Sequence, residues 1–270
     1  MSRLKKWMYA LIAIAGIVFI VLKLSCHWLP SCWINSTGIT KETHPFCNQF
    51  MTEFYKPLNA THRKRGPSFL ITFFLLEQKA LRGQKDFLIV ETGSLRTEPI
   101  NIPADGASTI IFDAFLKIHN GALHTVDLDP KCQGVIRKYC SEKVIAYTSD
   151  SVKFLETFNE AEKIDVLYLD SFDLDVTNPE PSAEHHLKEI EIIFDRLKKG
   201  TIIIVDDNLV YKGKPVGKGY LVEKFLKDKG VPMIFDGYQK VFQIAPDPKD
   251  IEGVSKIRDL TSSLKMRFFF

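Results

Sequence analysis

The sequence has no C-x-x-C pair, no internal repeat and no low-complexity tract, and its formal net charge is only +3 over 270 residues. Without C-x-x-C spacing, nothing argues for a structural zinc site. A charge so close to neutral gives no global attraction to nucleic acid or acidic polymers, so no nucleic-acid partner is expected. The basic run "HRKRG" (His62 to Gly66) is local and reads as a solvated stem or a processing site. Cysteine is scarce. Five residues allow at most two disulfides with one left over. Cys26, Cys32 and Cys47 are the pairing candidates, whereas Cys132 and Cys140 lie eight apart on an expected helix and read as free thiols.

The N-terminus carries the one long apolar run. Arg3, Lys5 and Lys6 precede 18 residues from Trp7 to Leu24, in which Lys23 can snorkel to the interface. At about 1.5 Å per residue this length spans a bilayer core of roughly 30 Å. No A-x-A-like cleavage pattern follows it. Positive charge upstream predicts a cytosolic tail (1–6), a signal anchor (7–24) in contact with the lipid bilayer, and a lumenal remainder, in a type II protein of the Golgi or endoplasmic reticulum. Two glycosylation sequons, at Asn35 and Asn59, fit that side of the membrane. They fall in an expected stem (25–62), ahead of a globular domain (63–245) and a C-terminal tail (246–270).

Within the domain, strand and helix patterns alternate. "SFLITFFLLEQKALRG" reads as a leading amphipathic helix. The apolar runs "KDFLIVET", "ALHTVDLD", "KVIAYTSD", "KIDVLYLD" and "GTIIIVDD" follow as five strands separated by helices, with "VPMIFDG" and "QKVFQIA" as a closing pair. Continuous apolar strands separated by helices predict a parallel sheet covered on both faces. The fold class is therefore α/β, doubly wound: a mostly parallel seven-stranded Rossmann-like sheet with an antiparallel closing strand.

Each of the first five strands ends on acid: Glu91, Asp127 with Asp129, Asp150, Asp170, and Asp206 with Asp207. In open parallel sheets ligands bind beyond these carboxyl ends. Several unpaired carboxylates on one rim would raise one another's pKa, so a bound cofactor with hydroxyls and a positive centre, or a divalent metal, accounts for the set better than helix capping does.

The ordered series "IVETGS", "HTVDLDP", "YTSDSVKFL", "IDVLYLDSFD" and "GTIIIVDDN" resembles the class I S-adenosylmethionine-dependent methyltransferases. It is closest to the catechol-type O-methyltransferases and to the cephalosporin-hydroxylase-like and polysaccharide-associated members. The resemblance implies cofactor contacts from Glu91, Gly93 and Ser94 at the first turn, from Asp127 to the ribose hydroxyls, and from Asp150 and Ser151 near adenine. It further implies Mg²⁺ or Mn²⁺ at Asp170, Asp206 and Asp207, where a one-residue slip would use Asp207 and Asn208 instead. The first-turn loop departs from the family in holding only Gly93 before the longer excursion "SLRTEPINIPADG". The lysine base of the catechol type is replaced by Asp173, which leaves Asp170, Asp173 and His186 as catalytic candidates. His186 shares the sheet-facing side of the helix after the fourth strand with Ile190, Ile193 and Leu197, and the reading as a core histidine bonded to a backbone carbonyl is favoured over that as a base. The implied reaction moves a methyl group onto a hydroxyl, on a glycan if the lumenal placement holds, or on a small molecule. Two other readings stand beside it: a type II glycosyltransferase using a D-x-D metal motif at Asp127 to Asp129 or Asp173 to Asp175, and a lumenal scaffold that has lost its cofactor. The sequence carries no reading of oligomeric state.

Overall fold

The computed structural model describes residues 39–105 and 107–267. The cytosolic tail, the anchor at 7–24, Asn35, Cys26 and Cys32 lie outside the described residues. Among the described residues no helix is long and apolar enough to cross a membrane.

The chain opens with helices α1 (Pro45–Glu53), α2 (Tyr55–Leu58) and α3 (Gly66–Leu81) before strand β1 (Asp86–Thr92). A short helix α4 (Ile102–Asp105) and α5 (Ser108–Ile118) lead to β2 (Asn120–Asp127), α6 (Lys131–Tyr139) to β3 (Val144–Thr148), and α7 (Ser151–Thr157) to β4 (Ile164–Leu169). Helix α8 (Glu180–Ile193) precedes β5 (Ile202–Val205). A hairpin β6–β7 (Asn208–Tyr211, Lys214–Gly217), α9 (Gly219–Asp228), β8 (Met233–Phe235), β9 (Lys240–Gln243) and α10 (Pro248–Arg267) complete the fold.

The main sheet has seven strands in the order β3-β2-β1-β4-β5-β9-β8. The first five are mutually parallel and β9 runs antiparallel to β5, as the alternation of apolar runs predicts. Strand order reverses between β1 and β4, so the loops after these two strands diverge and leave a crevice at their carboxyl ends. Both faces of the sheet are covered. One carries α1, α3 and α5, the other α7, α8 and α9. Ile202, Ile203, Ile204 and Val205 of β5 are all fully buried between the two layers, which is why four β-branched residues in succession are tolerated there.

Two expected boundaries change. The stem does not reach residue 62. Phe46, Phe50, Phe54 and Leu58 recur every four residues, form one helical stripe, and are buried in the core. Phe46 meets Phe73 edge-on at 4.5 Å between ring centroids, and the Glu77 carboxylate accepts from the backbone N–H of Phe46 and of Cys47 at 2.7 and 3.0 Å. Those two N–H groups belong to the first turn of α1 and have no partner inside the helix, so Glu77 both caps α1 and fixes it to α3. Covered by α1 on one side and α10 on another, α3 is buried almost all round rather than amphipathic. The tail is likewise a helix. Val254 and Ile257 of α10 are buried, and Arg82 of the main domain pairs with Asp250 at 2.7 Å.

Asn59, at the end of α2, donates its amide N–H to Tyr55 O at 2.8 Å, and its Oδ1 is buried. This sequon therefore lies in a packed turn of the domain rather than in a stem.

Candidate active site

The crevice is built by the loops after β1, β2, β4 and β5. Gly93 follows β1 with φ +82°, and a Cβ there would stand 2.5 Å from the Asp170 carbonyl oxygen. Only glycine accepts both this backbone conformation and so close an approach. The loop is held by Gly93 N–H donating to Val126 O at 2.8 Å and Ser94 N–H donating to Asp127 Oδ2 at 3.0 Å. The Gly93→Ala variant is expected to lose affinity for S-adenosylhomocysteine by about tenfold or more, since each ~1.4 kcal/mol of misfit is a factor of ten. Calorimetric titration measures it.

Two cavities meet at Gly93. The smaller, about 60 Å³, is lined by Gly93, Asp127, Asp150, Ser151, Phe172 and His185 among others. Exposed Leu128 and Phe172 also line it and give it apolar walls. The larger, about 270 Å³, is lined by Arg63, Arg65, Ser94, Arg96, Asp170 and Lys218 among others.

On the smaller cavity's side, each Asp127 oxygen accepts one backbone N–H, from Asp129 and from Ser94. A carboxylate has about four lone-pair sites, so room remains for two hydroxyl donors. Asp150 caps α7, accepting from Lys153 N–H at 3.0 Å; the helix-cap alternative holds for this residue. Ser151 Oγ is hydrogen-bonded to His185 Nε2 at 2.9 Å. His185 is thus a wall of the cavity.

Glu91 lies beneath the crevice, fully buried. Its Oε2 accepts from Thr109 and Thr125 at 2.6 and 2.7 Å, and Oε1 has no hydrogen-bond partner. Burial pushes its pKa from 4.5 up to about 7, with the neighbouring hydroxyls pulling the other way. The resulting stability is fully present below the ordinary carboxyl pKa and lost as pH rises through 7. An ionised Glu91 thus costs the folded state about 3 kcal/mol at 1.36 kcal/mol per pKa unit. Glu91→Gln is therefore expected to remove the fall in melting temperature between pH 4.5 and 7 that burial of Glu91 causes, and thermal unfolding across that range checks it.

The acids expected to hold a metal are brought together, but with cations among them. Fully buried Asp206 accepts from Arg65 Nε at 2.7 Å and Tyr168 OH at 2.8 Å. Asp207 pairs with Arg65 at 3.3 Å, accepts from Tyr238 OH at 2.5 Å, and pairs with Lys218 at 3.0 Å. Lys218 also pairs with Asp170. Among the described residues no group of three His, Cys, Asp or Glu could hold a metal ion. The oxygens a divalent ion needs are already taken by a guanidinium and an ammonium, so these residues do not fit the metal that the resemblance implied. The slipped alternative fails as well. Asn208 donates to Val205 O and Asp206 O and accepts from Gly219 N–H, so its side chain ties α9 to the end of β5.

Of the two catalytic candidates that line the larger cavity, Asp170 and Asp173, only Asp170 has a raised proton affinity. Burial raises its pKa well above the carboxylate range, neighbouring Asp206 and Asp207 add to the rise, and Lys218 opposes it. Asp173 instead lies at the cavity mouth with a mostly exposed side chain and pairs with Arg96 at 3.0 Å, which lowers its pKa. A carboxylate so stabilised is a poor base, which corrects its expected role. His186 is fully buried, its Nδ1 bonded to Ser182 O at 2.7 Å, and burial lowers its pKa to about 4. It lines neither cavity and takes the core-histidine alternative. The second acid of each D-x-D motif turns to its own backbone: Asp129 accepts from Lys131 N–H and Asp175 from Thr177 N–H.

Arg65, Lys218 and Tyr238 were not singled out from the sequence. "HRKR" contained Arg65, but its partners are 141 and 142 residues away, and nothing local marks such a pairing.

Residues 104–208 match the family model described as a methyltransferase domain. That match bears out the resemblance to the class I S-adenosylmethionine-dependent methyltransferases. No curated protein matches the chain. Among solved structures, the chain is similar to CalS11, a TDP-rhamnose 3'-O-methyltransferase in calicheamicin biosynthesis. Identity is 15% over 75% of this chain and 93% of that one, with a TM-score of 0.43. It is similar to Aeropyrum pernix fibrillarin with bound S-adenosyl-L-methionine at 16% identity over 60% and 67%, with a TM-score of 0.37. For human N-acetylserotonin methyltransferase the values are 10% over 79% and 62%, with a TM-score of 0.38.

Proposed function

We propose that the chain is an S-adenosylmethionine-dependent O-methyltransferase acting on a hydroxyl of a glycan or a small molecule, anchored through residues 7–24 in the Golgi or endoplasmic reticulum with its catalytic domain in the lumen. The observation that carries the enzymatic reading is the meeting of two unlike cavities at Gly93. One has apolar walls and the Asp127 carboxylate; the other is charged and holds Asp170.

The residues fit the cofactor. Asp127 retains lone pairs for ribose hydroxyls, and Leu128 and Phe172 offer faces for a planar base; Glu91, which lines neither cavity, supports the first turn from below through Thr109 and Thr125. When bound, the cofactor supplies an electrophilic methyl group on a sulfonium, and the sulfur departs neutral. The chain must hold an acceptor oxygen in line and take its proton. Asp170 fits that task, because its raised proton affinity brings a carboxylate closer to the working pH of a general base. The acceptor cavity's polar wall, with Arg96 and Asp173 at the mouth, favours a hydroxyl-rich acceptor over a lipid-like one. The placement in the secretory lumen rests on the charge-flanked apolar run at the N-terminus.

The test is incubation of the full chain, in detergent, with methyl-labelled S-adenosylmethionine and a panel of glycans and small alcohols and phenols. Label is expected on an acceptor oxygen. Label on nitrogen or carbon only, or none across the panel with cofactor bound, contradicts the O-methyltransferase reading.

A further inference from the structure

We propose that the Lys218 ammonium is a built-in counterion of the acceptor cavity: it stands between Asp170 and Asp207 where a divalent cation would stand, and it positions the acceptor oxygen without a metal. This rests on the methyltransferase reading for what enters the cavity, though not for where the lysine lies.

Lysine is almost never fully buried unless paired, and the Lys218 side chain is 1% exposed. An ammonium has three donors. One reaches Asp170 Oδ1 and one Asp207 Oδ2 at 3.0 Å, while the next contact, to the Asp170 carbonyl oxygen, is long at 3.4 Å. Lys218 lines the larger cavity, so an oxygen arriving there can take the poorly used donor while Asp170 stands beside it.

The surrounding backbone is shaped to bring Lys218 to this point. After β5 the chain leaves through Asp207, whose φ of +51° is unusual for a residue with a side chain. It makes the β6–β7 hairpin and returns at Gly217, φ +146°, where a Cβ would lie 2.4 Å from the Asp207 carbonyl oxygen. Lys218 N–H then donates to that same oxygen at 3.3 Å. Asn208 Oδ1 accepts from Gly219 N–H at 3.0 Å and locks the start of α9. The hairpin thus carries a cation back to the acids that end β4 and β5. Arg65 pairs with Asp206 and also with Asp207, and Lys218 is the cation that Asp170 and Asp207 share.

The test needs no knowledge of the acceptor. Mn²⁺ is titrated by calorimetry into the wild-type chain, Lys218→Ala and Lys218→Met, each with S-adenosylhomocysteine binding as the check on folding. Lys218→Met keeps the stem packing if the smaller residue unfolds the site. The wild type is expected to bind no Mn²⁺ stoichiometrically. The folded variants are expected to gain one site per chain, an affinity rise on the order of a hundredfold from removing an adjacent positive charge. A stoichiometric Mn²⁺ site in the wild type that Asp170→Asn removes, or folded variants that gain none, overturns the inference. Absent S-adenosylhomocysteine binding in a wild type of native melting behaviour would instead count against the methyltransferase reading, and the Mn²⁺ result would still be readable.

Discussion

Asp170→Asn is expected to slow methyl transfer by about 10²- to 10⁴-fold, the usual contribution of a positioned base, while S-adenosylhomocysteine affinity stays within about threefold. The substitution keeps the side chain's size and an oxygen for Lys218, so the cavity is preserved, but the amide cannot accept the hydroxyl proton. The sign of the pH dependence follows from the raised pKa of Asp170. Activity of the wild type rises with pH as this carboxyl ionises, and the variant loses that limb. Initial rates on the acceptor returned by the labelling screen, taken across pH, measure both effects. An unchanged rate with an unchanged pH profile would assign the proton to another group.

The second large effect is on stability. Arg65→Met is expected to destabilise the fold by about 3–5 kcal/mol, the cost of removing one partner from a buried ion pair, read from denaturant unfolding. The Arg65 side chain is 4% exposed, serves Asp206 and Asp207 together, and lies over the Tyr238 ring at 4.9 Å from its centroid. Its loss leaves the fully buried Asp206 carboxylate with only hydroxyl and backbone donors. Adding Asp206→Asn should restore part of the loss, because the uncompensated charge rather than the missing packing is the larger cost. The Arg96–Asp173 pair is the contrast. Its side chains are 50% and 74% exposed, and breaking it should cost no more than about 1 kcal/mol.

The sheet was legible because buried parallel strands are continuous apolar runs, and Ile202 to Val205 shows the pattern at its plainest. The acids at the strand ends were legible for the same reason, since each interrupts such a run. Their partners were not. Lys218 and Arg65 reach Asp207 and Asp206 through tertiary contacts, and a lysine in "VGKGY" or an arginine in "HRKR" carries no local sign of burial. That is why the doubled acid after β5 read as a metal clamp rather than as half of an ion-pair cluster. Two misses did carry a signal. Phe46, Phe50, Phe54 and Leu58 form a helical stripe that sequons and prolines nearby led us to place in a stem. The β6–β7 hairpin was marked by Lys212-Gly213, whose φ values of +49° and +76° suit a two-residue turn of the kind that joins adjacent strands. His186 sat on the expected inward face of α8, but the layer it faces is core and not crevice.

The most direct measurement is a calorimetric titration of S-adenosylhomocysteine into the full chain, with and without EDTA. One site of micromolar affinity, unchanged by EDTA and abolished by Asp127→Ala, is the predicted result. Absence of binding under every metal condition would contradict the assignment of these two cavities to a methyl-transfer cofactor and its acceptor.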